Sequence, residues 1–429
     1  MKIKLGIVGI GNIGSSVIST LEKNKGLYKK KYNVDIKIIG ISGKNKNKKR
    51  SFKSSNYLWF ANPIDMTKDE QINVIVELVG GSSGLALDLA KNSLKNKKNF
   101  VTANKAMIAL HGKVLTNLAI RNQVNISYEA SVAGAIPLVR TIQNSLLAGN
   151  IKNIYGILNG TCNYILTQMR ENKVSFNNAL TQAQKNGFAE ADPSDDISGR
   201  DTAYKLNILS SLTYSLDTKF KDIHIEGISK INEIDLKMAD KLGYILLLLG
   251  ISNYNKNTLV QRVHPCLISK DSILSKTKNE INTIILEDDV AGKIILVGKG
   301  AGKMPTSSSV VTDILNCNEN KKKLLIEKKA DKNISYFKTG QLEKRIGKFY
   351  IRLLVNDKPG VLADITTFFK KQRVSISSMF QLESENKKKV LLIFITHKIK
   401  EKEVNFAIKK IEKLDKVNKK ATIIRIENV

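Results

Sequence analysis

Six residues near the N-terminus, Gly9-Ile10-Gly11-Asn12-Ile13-Gly14, constrain this chain more than any other feature. They form a G-x-G-x-x-G between an apolar run, Lys4-Leu5-Gly6-Ile7-Val8, and a helix-like pattern from Ile13 to Leu21. A strand that turns at once into a helix uses the first glycine for the tight turn. The second lets a pyrophosphate approach the backbone, and the third lets helix and strand pack closely. The start of the helix then offers unpaired N–H groups to phosphate. Alone, the hexapeptide matches any glycine-rich strand–helix turn. The apolar runs that follow, Asp35 to Ile41, Asn73 to Leu78 and Phe100 to Thr102, alternate with helical segments and imply a parallel sheet covered on both faces. Residues 1–137 therefore read as a Rossmann-type α/β dinucleotide-binding domain, with Gly9, Gly11, Asn12, Ile13 and Gly14 as cofactor contacts.

The second strand ends at Ile41-Ser42-Gly43, and Lys44, Lys46, Lys48, Lys49 and Arg50 follow. A site selective for NAD carries an acidic residue there, on the ribose 2′-hydroxyl. Its absence beside a cluster of cations favours a 2′-phosphate, hence NADP over NAD, with Ser42 and Lys44 as contacts. The competing reading is a solvated basic loop. A second glycine cluster, Gly298-Lys299-Gly300-Ala301-Gly302-Lys303, is one residue too short for a P-loop and lacks its Ser/Thr, since Met304-Pro305 follows. Thr306 to Ser309 reads as a helix cap.

From Leu138 to Cys317 the pattern changes to an α+β domain. Helices are expected at Ala179 to Gly187, Asp201 to Tyr214 and Ile234 to Ile251, and a strand at Ile294 to Val297. A lysine-rich linker is expected at 318–345. Residues 346–429 read as strand, helix, two strands, helix, strand, the βαββαβ order of a ferredoxin-like sandwich.

The chain carries 70 Lys and Arg against 39 Asp and Glu, a net charge of +31. The lysines are spread throughout, and no aromatic platform is interleaved with them, so no nucleic-acid partner is expected; the field favours anionic cofactors and substrates. The apolar run Tyr244 to Ile251 is too short to span a bilayer, and the N-terminus lacks a cleavage site, so neither a membrane segment nor a leader is expected. Three scattered cysteines, Cys162, Cys266 and Cys317, argue against a disulfide framework or a zinc site and fit a reducing cytoplasm.

The densest chemistry lies in Gly187-Phe188-Ala189-Glu190-Ala191-Asp192-Pro193-Ser194-Asp195-Asp196, running on to Arg200-Asp201-Thr202-Ala203-Tyr204-Lys205. Four carboxylates in a loop of small residues precede a helix, and Asp201 and Lys205 share one helix face at i and i+4. The bland reading is a surface ion pair worth a few tenths of a kcal/mol, on the order of 0.3. Cys162 raises the idea of a thioester-forming aldehyde dehydrogenase, but neither neighbour is basic. A buried, inert thiol is the better reading, and His264, before Pro265, reads as structural.

These stretches, with Thr102-Ala103-Asn104-Lys105-Ala106, Tyr128 to Gly134, Gly156 to Tyr164, Arg262 to Pro265 and Gly300 to Thr306, resemble the homoserine dehydrogenase family in order along three-quarters of the chain. Ala135 departs from the family, which often has glycine there. The resemblance implies a monofunctional enzyme reducing aspartate semialdehyde to homoserine, with Lys205 as the acid–base residue and Glu190 and Asp201 holding the amino acid. It further implies Lys105 between nicotinamide and substrate, Gly302 at the cofactor, and a monovalent cation, sodium, held by Glu129 with the carbonyls of Val132, Gly134 and Ile136. Asn356-Asp357-Lys358-Pro359-Gly360-Val361-Leu362 resembles the D-x-P-G-x-L signature of ACT domains, which implies an amino acid effector, threonine in this family, and a homo-oligomer. The readings that compete are a catalytically dead nucleotide sensor and another Rossmann-type amino acid dehydrogenase.

Overall fold

The structure is a computed structural model that describes residues 2–317, 337–383 and 388–429. Its first third is an α/β unit: β1 (Lys2–Val8), α1 (Asn12–Tyr32), β2 (Asp35–Ser42), β3 (Leu58–Trp59), β4 (Val74–Glu77), α2 (Leu85–Lys95), β5 (Asn99–Thr102), α3 (Lys105–Asn122) and β6 (Ile126–Ser127). The strands form one sheet in the order β3-β2-β1-β4-β5-β6, and every pair is parallel. Ile3, Leu5, Ile7, Val74, Ile75 and Val76 are buried on both faces, as a parallel sheet sandwiched by helices requires. The strand order reverses between β1 and β4. The crevice beyond their C-terminal ends is the place such sheets reserve for a ligand.

The middle of the chain supplies α4 (Leu138–Asn144), β7 (Ile151–Ile157), α5 (Gly160–Glu171), α6 (Phe176–Lys185), α7 (Ser194–Ile197), α8 (Arg200–Tyr214), β8 (His224–Ile225), α9 (Glu233–Lys241), β9 (Tyr244–Asn255), β10 (Thr258–Ser269), β11 (Ile281–Asp288), β12 (Gly292–Lys299) and α10 (Lys303–Asn316). After β13 (Lys338–Thr339), the C-terminal unit runs β14 (Ile346–Asn356), α11 (Val361–Lys371), β15 (Ile376–Glu383), β16 (Lys389–Thr396), β17 (Ile399–Lys400), α12 (Glu401–Ile411) and β18 (Thr422–Glu427). The two regions share one sheet, β12-β11-β7-β9-β10-β18-β14-β16-β15. The join is a parallel pairing of Cys266, Leu267 and Ile268 with Arg425, Ile426 and Glu427.

Two expectations change. The helix expected over Ile234 to Ile251 ends at Lys241, and Tyr244 onward is β9. Gly243 adopts φ +80° at the break, and β9 then pairs with β7 on one side and with all twelve residues of β10 on the other. Leucine favours helix in isolation, but Leu246 to Leu249 are buried at the centre of a sheet, and that packing overrides local propensity. Thr306 to Ser309 do not cap α10, because it starts three residues earlier at Lys303, behind Gly302 at φ +110°. Pro305 fits the first turn, where no intrahelical N–H bond is lost. Of the expected linker, residues 318–336 lie outside the described residues; Lys338 and Thr339 pair with the start of β10.

Tyr350 and Arg352 of β14 reach α9 of the middle region. Asp235, 1% exposed, caps α9 through a reciprocal bond with Asn232 and accepts from Tyr350 Oη at 3.0 Å and Arg352 Nε at 2.7 Å. Removing the carboxylate leaves Arg352 facing a buried surface without its counter-ion. Asp235→Ala is expected to lower unfolding free energy by about 3 kcal/mol and to expose the 337–429 unit to proteolysis; a urea midpoint and fragment pattern matching wild type would refute this.

Candidate active site

The glycine turn is shaped by contacts on one side and openness on the other. Gly9 adopts φ +93°, and a side chain there would meet the backbone of Leu78 at 2.5 Å; one on Gly14 would meet the carbonyl of Gly9 at 2.1 Å. A Cβ on Gly11 meets nothing within 4 Å. The first and third glycines are therefore required by packing, whereas the second borders open space at the start of α1. Gly9 N donates to Ser42 O at 3.0 Å, which ties the turn to the buried end of β2. Lys44, Lys46, Lys48 and Lys49 are exposed beyond it. Arg50 is spent on the loop itself, donating to the carbonyls of Lys48 at 2.7 Å and Lys46 at 3.2 Å.

Opposite the glycine turn, the 78–84 segment is held from within. Glu77, fully buried, accepts from the N–H groups of Val79 and Gly80 at 2.7 and 2.9 Å and from Thr102 Oγ1 at 2.6 Å. Asn104 caps α3 through Met107 N and donates to Gly81 O at 2.6 Å. That cap puts Lys105 at the first position of α3, facing the middle region. On the other flank α10 lies along α1, with Ser307 Oγ donating to Ile13 O at 3.4 Å. This brings Gly302 beside the fingerprint helix.

The segment 128–140 lies against α10. Glu129, 1% exposed, accepts from the N–H groups of Val139 and Arg140 at 2.8 and 3.0 Å, so its carboxylate holds the start of α4. Burial pushes its carboxyl up to about 7, against the pull of Arg140. Gly134, at φ +55°, lies against Gly300, and its carbonyl accepts from Ser309 Oγ at 2.6 Å. The Ile136 carbonyl accepts from Leu138 N at 2.8 Å. Among the described residues no group of three or more His, Cys, Asp and Glu has a metal-ligating arrangement.

The chemical centre is where α8 meets the β7–α5 turn. Asp201 is 2% exposed and faces two ammonium groups, Lys205 Nζ at 2.8 Å from Oδ2 and Lys105 Nζ at Oδ1. Burial alone would raise its carboxyl, but the two lysines outweigh that and hold it well below the usual carboxylate range. In return Asp201 raises Lys105 above its ordinary value. Lys205, 7% exposed, also donates to Leu158 O at 2.7 Å. With a carbonyl and a carboxylate as partners, the Lys205 ammonium has one of its three N–H donors left to offer. Glu190 is exposed on the rim, its backbone carbonyl accepting from Gln184 at 3.1 Å, and its charge reaches Lys105.

Lys105, Asp201 and Lys205 thus meet, and the cofactor glycines gather around α1 and α10. Two residues in the cluster carry no expected role from sequence. Asn159 caps α5 and donates to both Asp196 and Asp201. Asp196 is half-buried beside them, its carboxyl raised by burial and then by the charge of Asp201. The available signals were an asparagine directly after a strand and before a helix, and an acidic pair inside the 187–205 block. Cys162 and His264 are fully buried; burial pushes the thiol well up and the imidazole well down. Neither is poised for covalent chemistry.

The openness at Gly11 generates a test. Gly11→Ala should keep the wild-type Tm and bind a nicotinamide dinucleotide more than about tenfold more weakly, measured by nucleotide fluorescence. Equal affinity would mean that the pyrophosphate does not approach this turn.

Comparison with known proteins fits this geometry. Residues 9–129 match the family model "Homoserine dehydrogenase, NAD binding domain", residues 137–315 "Homoserine dehydrogenase" and residues 349–416 "ACT domain". The chain is 37% identical to a homoserine dehydrogenase of Helicobacter pylori, covering 100% of this chain and 99% of that one. It is 34% identical to the Pseudomonas aeruginosa protein of the same name, again over 100% and 99%. The structure superposes on a homoserine dehydrogenase from Thiobacillus denitrificans with a TM-score of 0.91, at 33% identity over 100% and 99%. A hyperthermophilic archaeal homoserine dehydrogenase in complex with NADPH matches with a TM-score of 0.62, at 26% identity over 74% of this chain and 98% of that one. With its nicotinamide-nucleotide domain, its buried lysine–carboxylate centre and its ACT domain, the chain belongs to the homoserine dehydrogenase family of NAD(P)-dependent oxidoreductases.

Proposed function

We propose that the chain reduces L-aspartate 4-semialdehyde to L-homoserine, with NADPH preferred over NADH and Lys205 as the proton donor. The observation that carries this is Lys205 itself: buried, joined through Asp201 to Lys105 of the nucleotide-binding unit, and committed to Leu158 O and Asp201 with two of its three N–H bonds. The remaining N–H is the one available to an aldehyde oxygen. A nicotinamide cofactor, when bound, would supply the hydride that the aldehyde carbon accepts. As negative charge develops on the oxygen, the Lys205 ammonium stabilises it and gives up a proton, so that C=O becomes CH–OH and solvent later reprotonates the amine.

Asp201 keeps Lys205 aimed, and shares with Glu190 the recognition of the substrate ammonium, Glu190 being the carboxylate open to solvent. Lys105, on the nucleotide side, would stand between nicotinamide and substrate. Gly9, Gly11, Asn12, Ile13, Gly14 and Gly302 would hold the cofactor, with Ser42 and Lys44 on the side of its ribose. The exposed lysines after Ser42 support a 2′-phosphate, and the archaeal relative holds NADPH. A sodium ion held by the carbonyls of Val132, Gly134 and Ile136 beside Glu129 would meet only hard oxygen donors, and would relieve the cost of burying the Glu129 carboxylate. In domain terms 1–137 holds the nucleotide, 138–317 the substrate with α10 returning to α1, and 346–429 an amino acid effector, threonine, behind Gly360 at φ +85°. The chain works as a homo-oligomer, for which the exposed sheet edges β12 and β15 are suitable surfaces.

The test follows NADPH oxidation with aspartate semialdehyde. Wild type is expected to turn over, and Lys205→Ala, folded and nucleotide-binding, to lose kcat by about a thousandfold. Failure of wild type with both NADPH and NADH would end the enzymatic reading. Threonine added to the same assay, or sodium replaced by tetramethylammonium, should lower the rate; an unchanged rate removes the corresponding ligand from the proposal.

A further inference from the structure

Lys205 and its counter-ion are fixed by two consecutive residues at the end of β7. Leu158 contributes a carbonyl to the Lys205 ammonium at 2.7 Å. Asn159 contributes an amide, 5% exposed, whose two N–H bonds diverge to two carboxylates: Asp196 Oδ1 at 2.7 Å and Asp201 Oδ2 at 2.8 Å. Its carbonyl oxygen accepts from Cys162 N at 2.7 Å, so both ends of the amide are in use. Through this one side chain α5, α7 and α8 are tied at the point where the proton is to be transferred.

We propose that Asn159 is a positioning residue for the reduction: its amide separates Asp196 from Asp201 and holds Asp201 in the orientation that aims Lys205. The proposal rests on the reading that Lys205 is the acid. Only an amide satisfies the site. A hydroxyl supplies one donor where two acceptors face it, and a carboxylate supplies none and adds a third negative charge. Without the bridge, the buried carboxylate of Asp201 and the half-buried one of Asp196 face each other with no donor between them. Asp201 is then free to rotate away from Lys205, because its other partner, Lys105, is on the far oxygen. The charged and titratable groups around the amide are Lys105 from α3, Cys162 from α5, Glu190 from the loop before α7, Asp196 from α7, and Asp201 and Lys205 from α8. A change in the bridge acts first on Asp196 and Asp201, the two acids that it joins.

Two variants separate positioning from folding. Asn159→Ser keeps an oxygen to cap α5 at Cys162 N and removes the paired donors. Asn159→Asp keeps shape and cap and replaces the donors with acceptors. Both are assayed for kcat and KM from about pH 6 to about pH 10, with nucleotide affinity and Tm measured on the same samples. The expected result is nucleotide affinity near wild type, kcat lowered by about a hundredfold, a smaller change in KM, and an ionisation limb of the kcat profile displaced by about one pH unit or more. Wild-type kcat with an undisplaced limb in Asn159→Ser overturns the proposal. If Asn159→Ser fails to bind nucleotide, Asn159→Asp carries the same test. Lys205→Ala is run alongside: if it keeps its turnover, the acid assignment falls and this proposal with it. If it loses turnover while the Asn159 profiles stay in place, this proposal alone is wrong.

Discussion

A carboxylate removed from water and shared by two ammonium groups is the interaction around which the rest is arranged. An ion as buried as Asp201 costs several kcal/mol, roughly, unless opposite charge and hydrogen bonds replace its hydration. Lys205 comes from the same helix, one turn on, but Lys105 comes from the start of α3 in the nucleotide-binding unit. The ion cluster therefore also ties the nucleotide-binding unit, through α3, to α8 of the middle region. What surrounds it keeps each partner in reach: the Asn104 cap that starts α3 at Lys105, the Glu77–Thr102 pair beneath that cap, and the Leu158 carbonyl at the end of β7.

A second constraint is β10, which carries the join to the C-terminal unit. Its twelve residues pair with β9 along their length and, on the other side, with β13, β8 and β18 in turn. Arg425 on β18 donates to Glu226 at 2.9 and 3.0 Å and to Glu401 on α12. Two residues past Glu226, Ile228 N donates to Ile197 O at 2.9 Å at the end of α7, next to Asp196. The intervening Gly227 is needed for that approach, since a side chain there would come within 2.1 Å of the Ile197 carbonyl. The effector-type domain is thus bonded through β8 to the backbone that carries the acidic cluster, rather than hung on a tether.

What the sequence made legible was local. The glycine fingerprint and its strand–helix frame, the βαββαβ order of the last eighty residues and the i, i+4 pair Asp201–Lys205 all depend on spacing within one or two elements. What it hid depends on partners far along the chain. Tyr244 to Ile251 reads as helix because its leucines are judged alone, whereas its strand state comes from β7 and β10 on either side. Thr306 to Ser309 reads as a cap because hydroxyls favour helix starts, whereas Gly302 had already turned the chain. Asn159 and Asp196 are thirty-seven positions apart. Nothing short of the fold says that one amide serves two acids.

The same reasoning explains why the catalytic candidate could not be chosen by charge. In a chain with 70 Lys and Arg residues, two lysines are buried among the described residues, Lys98 and Lys205, each 7% exposed. Lys98 donates to the carbonyls of Asp69 and Ile72, and burial lowers its pKa. It stitches together the two loops that lead into β4 and β5 of the first sheet. Lys205 has one carbonyl and one carboxylate, and that carboxylate is shared with Lys105 of the nucleotide-binding unit. Burial is common to both; the paired carboxylate is what distinguishes the candidate proton donor from the structural pin. The formal charge of +31 therefore carries little of the mechanism, because the lysine proposed to act is selected by what neutralises it.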